Sequence, residues 1–140
     1  IRDCIELLLK ELGGPSPIYN RDKALEACRY IINDLEKGIF IVAQTASGEI
    51  VGVVSMSMVT SVRTCGAYGV LQEFWVKNPY RSKKTGEKLF LELAKASKEM
   101  DVKVIEVSLP NETHSQFNKV DKFYREMGFF MAGNRMRNIL

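Results

Sequence analysis

The chain has little of the chemistry that metal and thiol sites use, since its 140 residues include one histidine and three cysteines. Cys4, Cys28 and Cys65 lack the spacing of metal ligands, and an odd number of cysteines cannot all pair within one chain. We therefore predict reduced thiols in a cytoplasmic protein, because disulfides are rare in that compartment. His114 is expected in a solvent-facing loop, and a lone histidine makes neither a metal site nor a catalytic triad. No metal is expected.

Long apolar runs and a strong excess of charge are also missing. No apolar segment is long enough to cross a membrane, and no signal peptide is visible. The net charge is only +3, and positive residues are concentrated near residues 77–88 instead of covering a face. Neither a membrane nor nucleic acid is therefore expected as a partner. The length fits one domain, 1–140, and the start at Ile1 instead of Met leaves room for residues upstream.

Hydrophobic periodicity and turn residues divide the chain into ten elements in the order ααβββαβαββ. The predicted helices cover residues 1–12, 20–37, 85–100 and 115–127, and the predicted strands cover 40–43, 50–62, 70–76, 102–109, 129–131 and 135–140. Hairpins combined with crossover helices predict an α+β fold with a mixed, mostly antiparallel sheet flanked by helices. The sheet would contain one parallel step, through the helix at 85–100.

The most informative segment is Val70–Leu89, where a buried strand leads through a Pro79 turn and a basic loop directly into a helix. The first N–H groups of a helix have no internal partner, and the helix dipole places partial positive charge there. Four basic side chains add formal charge at the same place: Arg81, Lys83, Lys84 and Lys88. A phosphorylated ligand is therefore predicted here. A solvated basic helix start is the alternative, although basic residues oppose the dipole at this end.

Two motifs of the chain resemble those of the GNAT superfamily of acetyl-CoA-dependent N-acetyltransferases. Arg81-Ser82-Lys83-Lys84-Thr85-Gly86 is similar to the family's Arg/Gln-x-x-Gly-x-Gly/Ala loop, and Phe123-Tyr124-Arg125-Glu126-Met127-Gly128-Phe129 is similar to its Phe-Tyr-x-x-x-Gly-Phe motif. The element order resembles the family over essentially the whole chain. The resemblance implies a GNAT-like fold and transfer of an acetyl group from acetyl-CoA, or of another acyl group from its acyl-CoA, to a primary amine by direct attack.

The resemblance also implies which residues bind the acyl donor. Backbone N–H groups of the loop would cradle the pyrophosphate, from Arg81, Ser82, Lys83, Lys84, Thr85 and Gly86. The strand Gln72–Val76 would splay from its parallel neighbour and bind the pantetheine arm through Phe74, Trp75 and Val76. An N–H near Val76 would polarise the thioester carbonyl. A fully paired core strand is the alternative.

Two catalytic residues are predicted. In the family, a tyrosine at the position of Tyr124 protonates the leaving thiolate, and a phenol can supply that proton; core packing would place this side chain on the same helix face. Glu73 is a carboxylate in an apolar strand, which needs either a partner or a purpose. We predict Glu73 as general base or acceptor anchor, with Glu106 as a second candidate, while a buried glutamate satisfied by neighbours remains open.

Three departures from the family qualify this prediction. The family's opening strand is absent or upstream of Ile1, Lys84 replaces the first glycine of the loop, and Phe117 stands where many members have asparagine. Because Lys84 lacks the conformational freedom of glycine, a non-catalytic acyl-CoA-binding or regulatory module stays open, as does a binder of another nucleotide phosphate. Cys65 lies in a turn with no histidine near it in sequence, which argues against a covalent thiol route.

The acceptor is predicted only by class, as a small-molecule or peptide amine. The resemblance places its pocket at residues 13–20 with Tyr19 and at the hairpins 59–69 and 129–140. These segments carry Arg63, Tyr68, Arg135 and Arg137. Clustered arginines would favour an acceptor with a carboxylate or phosphate, although exposed arginines are usually solvated surface. A homodimer through a sheet edge or the C-terminal strand is a further expectation.

Overall fold

The computed structural model describes residues 1–133, apart from the side chain of Ser82. Its elements are α1 Arg2–Glu11, α2 Arg21–Ile32, β1 Gly38–Gln44, β2 Ile50–Ser61, β3 Gly66–Val76, a 3₁₀ helix Asn78–Lys83, α3 Thr85–Glu99, β4 Ile105–Val107 and α4 Phe117–Glu126. The chain divides into two compact units, Ile1–Val107 and Ser108–Leu140. The single-domain prediction for residues 1–140 stays a prediction.

The first unit contains an open four-stranded sheet in the order β1-β2-β3-β4. β1 pairs with β2 and β2 pairs with β3 in antiparallel fashion, whereas β3 and β4 are parallel. A parallel pair needs a crossover connection, and α3 supplies it between β3 and β4. The predicted α+β fold, with its mixed and mostly antiparallel sheet and one parallel step, is confirmed.

Helices cover both faces of this sheet. On one face, Cys4 of α1 packs with Val53 and Trp75 in a buried cluster. On the other face, α3 approaches so closely that a Cβ added to Gly52 would lie 2.9 Å from Leu89 Cδ1. Because both faces are covered, residues 51–56 of β2 are all buried, as expected for a strand enclosed on two sides. Trp75, near the end of β3, is thereby packed in the core.

Three predicted boundaries were wrong. α2 ends at Ile32 instead of Lys37, because Asp34 Oδ1 accepts from the Glu36 N–H at 2.9 Å and this local bond competes with the helix. β3 begins at Gly66, four residues earlier than predicted, since it pairs with β2 along the whole hairpin. β4 is short because it pairs only with Gly69–Leu71 of β3.

The second unit contains α4, which confirms the predicted helix within two residues of each end. Gly128 ends it with φ 89°, a left-handed conformation that favours glycine. The strand predicted at 129–131 was wrong, since these residues have no regular secondary structure; a strand needs a paired partner. The intended partner, 135–140, lies outside the described residues. Within residues 1–133, the helices are all too short or too polar to span a bilayer.

Candidate functional site

The start of α3 has an unusual backbone. The 3₁₀ helix Asn78–Lys83 ends at Lys84, whose φ of 59° and ψ of 17° are left-handed, and no side chain caps the first turn of α3. By contrast, the Asn20 side chain caps α2 by accepting from the N–H groups of Asp22 and Lys23. α1 and α4 also begin without a side-chain cap. The left-handed Lys84 and the local charge are therefore what distinguish α3.

The basic side chains at this start differ in their surroundings. Lys83 Nζ lies 5.2 Å from the centre of the Tyr80 ring, a cation–π contact. The Lys84 side chain is 78% exposed and its Nζ lies 3.9 Å from the Glu87 carboxylate. Lys88 is exposed as well. These ammonium groups can therefore reach a ligand in solvent. Ser82 lies in the 3₁₀ helix, and its side chain is outside the described part.

Arg81 is placed differently from these lysines. Its Nε donates to the Val76 carbonyl at 2.6 Å, and its Nη2 lies 2.7 and 2.6 Å from the two carboxylate oxygens of Glu11. The Trp75 indole N–H donates to the same carboxylate at 3.1 Å. The predicted loop cation thus binds partners within the protein. Glu11 was missed by sequence reasoning; its signal was an acid at the last residue of a helix, where the dipole disfavours negative charge.

The end of β3 extends beyond its parallel partner. The ladder to β4 covers only Gly69–Leu71, and β3 continues to Val76 beside β2. The Lys77 N–H donates to the Val51 carbonyl at 2.8 Å. Backbone groups alternate in direction along an antiparallel strand. The Val76 N–H therefore points away from β2, to the side on which the parallel ladder has ended.

The three predicted pantetheine-binding residues do not share one orientation. Trp75 is 5% exposed and packs in the α1 cluster, and its backbone lies opposite Val53 of β2. Phe74 and Val76 alternate with it, so their backbones face the β4 side. The geometry thus fits Val76 and Phe74 best, whereas Trp75 supports the strand from the core.

A bulge in β3 positions Glu73. β2 and β3 shift register between Val54 and Met56, so that Gln72 and Glu73 lie opposite the single residue Ser55. Ser55 is fully buried. Its Oγ accepts from the Glu73 N–H at 3.2 Å and donates to a Glu73 carboxylate oxygen. One hydroxyl therefore closes the bulge and orients the carboxyl group. Ser55 was not among the predicted site residues.

The surroundings of Glu73 favour its protonated form. Burial raises the pKa of this carboxyl above its ordinary value, and the hydrogen bond from Ser55 opposes that shift. On α2, the Cys28 thiol is buried, and its pKa is raised by burial and then by the charge of Glu73. A half-buried carboxyl with a raised pKa is a candidate general base. Cys28, held as a thiol, is a poor nucleophile.

The second carboxylate candidate is neutralised by a neighbour. Glu106 of β4 accepts from Arg63 at 2.9 Å. Because Arg63 is paired with Glu106, it is a weaker candidate for binding the carboxylate or phosphate of an acceptor. Arg135 and Arg137, the other two, lie outside the described residues.

Tyr124 and His114 belong to the second unit. Tyr124 is 7% exposed and makes edge-to-face contacts with Phe123 and Phe129, at ring distances of 5.4 and 5.3 Å. Burial raises the pKa of its phenol, so the group keeps its proton at neutral pH. His114, predicted to face solvent, is half-buried, and its Nδ1 accepts from the Gln116 N–H at 3.2 Å.

A cavity of about 350 Å³ lies between β1 and α3. Thr85, Lys88 and Glu92 of α3 contribute to its lining. Neither Glu73 nor Val76 lines it. This recess and the Glu73 bulge are therefore separate features of the first unit.

Comparison with known proteins decides the family. The model of the Acetyltransferase (GNAT) family matches residues 1–129. The chain belongs to the GNAT acetyltransferase family. No protein of curated function matches its sequence.

Solved structures confirm the GNAT fold. A possible acetyltransferase from Clostridium difficile 630 has a TM-score of 0.78 at 16% identity, over 99% of this chain and 88% of that one. Glucosamine-6-phosphate N-acetyltransferase from Arabidopsis thaliana has a TM-score of 0.70 at 20% identity, over 98% and 91% of the two chains. AAC(6')-Iy, in complex with the bisubstrate analogue CoA-S-monomethyl-acetylneamine, has a TM-score of 0.77 at 15% identity, over 99% and 88%.

Proposed function

We propose that this GNAT protein is an N-acetyltransferase that moves the acetyl group of acetyl-CoA directly to a primary amine. The observation that carries the proposal is the start of α3, which combines a left-handed backbone at Lys84 with exposed lysines. One similar structure contains a CoA-based bisubstrate analogue, which adds support for an acyl-CoA donor.

The loop suits a diphosphate in its chemistry. N–H groups of a helix's first turn and nearby ammonium groups are donors that bind phosphate oxygens. Lys84 keeps a backbone conformation that favours glycine, at a cost of about 1–2 kcal/mol for a residue with a Cβ. Strain of this kind is typical of ligand-binding turns. We assign phosphate binding to the backbone of residues 81–86 and to the charges of Lys83 and Lys84.

We assign the proton transfers to Glu73 and Tyr124. The acetyl-CoA thioester supplies the activated acyl carbon. Glu73, once ionised, takes a proton from the acceptor ammonium or from the attacking amine, directly or through water. The Val76 N–H, directed away from β2, donates to the thioester oxygen as it gains negative charge. A C–N bond forms while the C–S bond breaks, and Tyr124 gives its phenolic proton to the thiolate; solvent then takes the proton from Glu73 and restores that of Tyr124.

Titration of the purified protein with acetyl-CoA, with ATP as control, tests the donor. We expect acetyl-CoA to bind with a dissociation constant in the micromolar range and ATP to bind weakly or not at all. Equal binding of ATP would favour a general nucleotide-phosphate site, and absent binding by a folded protein would overturn the proposal.

A panel of small amines and peptides, read by release of free thiol, then tests transfer. The expected result is thiol release that depends on an amine. Binding of acetyl-CoA without release for any amine would favour the non-catalytic acyl-CoA module.

The acceptor is proposed to be a small-molecule or peptide amine bound beside residues 13–20. This segment is joined to α1, since Tyr19 Oη and Arg21 Nε donate to Glu6 at 3.4 and 2.7 Å. We also keep the homodimer as a proposal, because β1 is an edge strand of an open sheet. Light scattering at several concentrations measures it.

A further inference from the structure

One carboxylate joins three parts of the first unit. Glu11, the last residue of α1, accepts from Trp75 at the end of β3 and from Arg81 in the 3₁₀ helix. Arg81 in turn donates to the Val76 carbonyl. The acceptor-side segment, defined here as residues 12–20 because it contains the proposed acceptor residues 13–20, begins one residue after Glu11. This network therefore connects that segment to the proposed phosphate loop and to the strand end that bears the Val76 N–H.

The network is more than an ordinary surface ion pair. Exposed pairs contribute little because solvent screens them and both side chains lose entropy. Here the Arg81 side chain is 29% exposed and that of Glu11 46%, but the carboxylate contacts both Arg81 Nη2 and the indole N–H of Trp75, a residue that is 5% exposed. An acid at the C-terminal end of α1 also opposes the helix dipole. Helix stability therefore does not explain why Glu11 is at this position.

We propose that Glu11 and Arg81 form a positioning pair, through which Arg81 orders the phosphate loop and ties it to the acceptor-side segment 12–20. Arg81 would act on the donor through Glu11 and the Val76 carbonyl instead of using its guanidinium as a phosphate ligand. Neutralisation by Arg81 also keeps the Glu11 carboxylate from repelling the phosphates. This inference rests on the proposed function, since the bound molecule is acetyl-CoA.

A double-mutant cycle on acetyl-CoA affinity tests the pair, using Glu11→Gln, Arg81→Gln and both together. Coupled residues give non-additive effects, whereas independent ones add. Each single change is expected to weaken binding, by roughly 3- to 10-fold for Glu11→Gln and about 10-fold or more for Arg81→Gln. The double variant should be no weaker than Arg81→Gln alone. Additive losses, or Glu11→Gln without any loss, would show that Arg81 contacts the phosphates independently.

Two further variants separate positioning from charge and from helix stability. Arg81→Lys keeps the charge but lacks the guanidinium geometry that reaches Glu11 and Val76 together; it should bind acetyl-CoA as weakly as Arg81→Gln, and full affinity would overturn the proposal. Asp3→Asn removes an exposed ion pair with Arg2 from the same helix. This variant should leave the acetyl-CoA affinity unchanged. A loss of affinity equal to that of Glu11→Gln would show that both variants act only by destabilising α1.

Hydrogen exchange gives a readout at the other end of the network. Bound acetyl-CoA is expected to slow amide exchange in residues 12–20 of the wild type. In Glu11→Gln, bound acetyl-CoA should no longer slow exchange in these residues. Unchanged exchange in the wild type on saturation with acetyl-CoA would overturn the coupling. A wild type that binds no acetyl-CoA would instead defeat the proposed function, and the same cycle measured by urea unfolding would still report whether Glu11 and Arg81 are coupled.

Discussion

The starts of α2 and α3 solve the same physical problem in opposite ways. Both helices present N–H groups without an intrahelical partner. At α2, Asn20 in an extended conformation accepts from two of them, and Asp22 complements the dipole. At α3, Lys84 is left-handed, caps nothing with its side chain and adds positive charge near the first-turn Glu87. The first start is satisfied from within the chain, whereas the second is suited to a negatively charged molecule from outside.

The charged groups near α2 and α3 also differ in how far they are exposed to solvent. The Glu73 carboxyl is half-buried and oriented by Ser55, and its charge raises the pKa of Cys28 on α2, while the Lys84 side chain at α3 is exposed. A half-buried carboxyl with a raised pKa is a candidate for proton transfer, whereas an exposed ammonium acts as a fixed charge. The α2 side therefore suits proton transfer, and the α3 side suits phosphate binding.

The largest expected effect is at Glu73 on the α2 side. Glu73→Gln should lower kcat by roughly 10²- to 10⁴-fold with an active amine, because the general base is lost. Wild-type activity should rise with pH through the raised pKa of Glu73, and this limb should be absent in the variant. Glu106→Gln is the matched control, since its carboxylate is paired with Arg63. Comparable losses in both variants would remove Glu73 from the base role.

Stability gives a second test of the same residue. A carboxyl with a raised folded-state pKa makes the folded protein lose stability as pH rises from the unfolded-state pKa towards the folded-state pKa, because the unfolded chain ionises more easily. Glu73→Gln should therefore gain stability relative to the wild type as pH rises above about 4, the unfolded-state pKa of glutamate, as measured by urea unfolding. A difference that does not change with pH would contradict the assigned burial effect.

Converting the α3 start to the type found at α2 should have the next largest effect. Lys84→Asp places a negative charge at the proposed phosphate site, so acetyl-CoA affinity should fall roughly 10- to 100-fold while the protein stays folded. Calorimetry measures the change. Lys98→Asp alters the last turn of the same helix and should leave affinity unchanged. Equal affinities for both variants and wild type would place the phosphates elsewhere.

Removing the side-chain cap of α2 should lower stability without changing acetyl-CoA affinity. Asn20→Ala removes two hydrogen bonds to the helix start, and loss of such a cap costs about 1 kcal/mol of stability. Urea unfolding should show this loss, and acetyl-CoA affinity of the folded protein should be unchanged. A marked loss of affinity would mean that the two helix starts are not functionally distinct.

The smallest effect is expected from restoring the family's glycine. Lys84→Gly relieves the left-handed strain and should raise stability by about 0.5–1 kcal/mol. It should weaken acetyl-CoA binding about threefold through loss of one exposed charge. Denaturation and calorimetry on the same preparation measure both. Tighter binding would show that Lys84 impairs the loop instead of contributing to it.

Local patterns explain which parts of the molecule could be predicted. Apolar spacing in α3, with Leu89 and Leu93 one turn apart, and turn residues around the hairpins predicted the element order. The helix extension beyond Ile32 failed because periodicity continued while the Asp34 side chain offered the backbone a competing bond. The strand at 129–131 failed because an apolar run alone does not show whether a pairing strand is present.

The candidate site was predictable only in part for the same reason. Lys83, Lys84 and Gly86 share one loop, so their joint position followed from the motif. The roles of Glu11 and Ser55 did not, since Glu11 meets Arg81 across 70 positions of sequence and Ser55 meets Glu73 across 18. Neither contact has a local pattern, and each exists only because the sheet and α1 pack together.

By itself, then, the sequence determined the order of helices and strands, the cation-rich start of α3 and the membership of the GNAT family, because periodicity, turn chemistry and motifs act over a few residues. Tertiary structure alone decided that Arg81 binds Glu11, that a bulge aims Glu73 at Ser55, and that Trp75 supports the strand from the core. Those contacts depend on strand register and helix packing, which sum weak interactions over the whole first unit and cannot be read from any one segment.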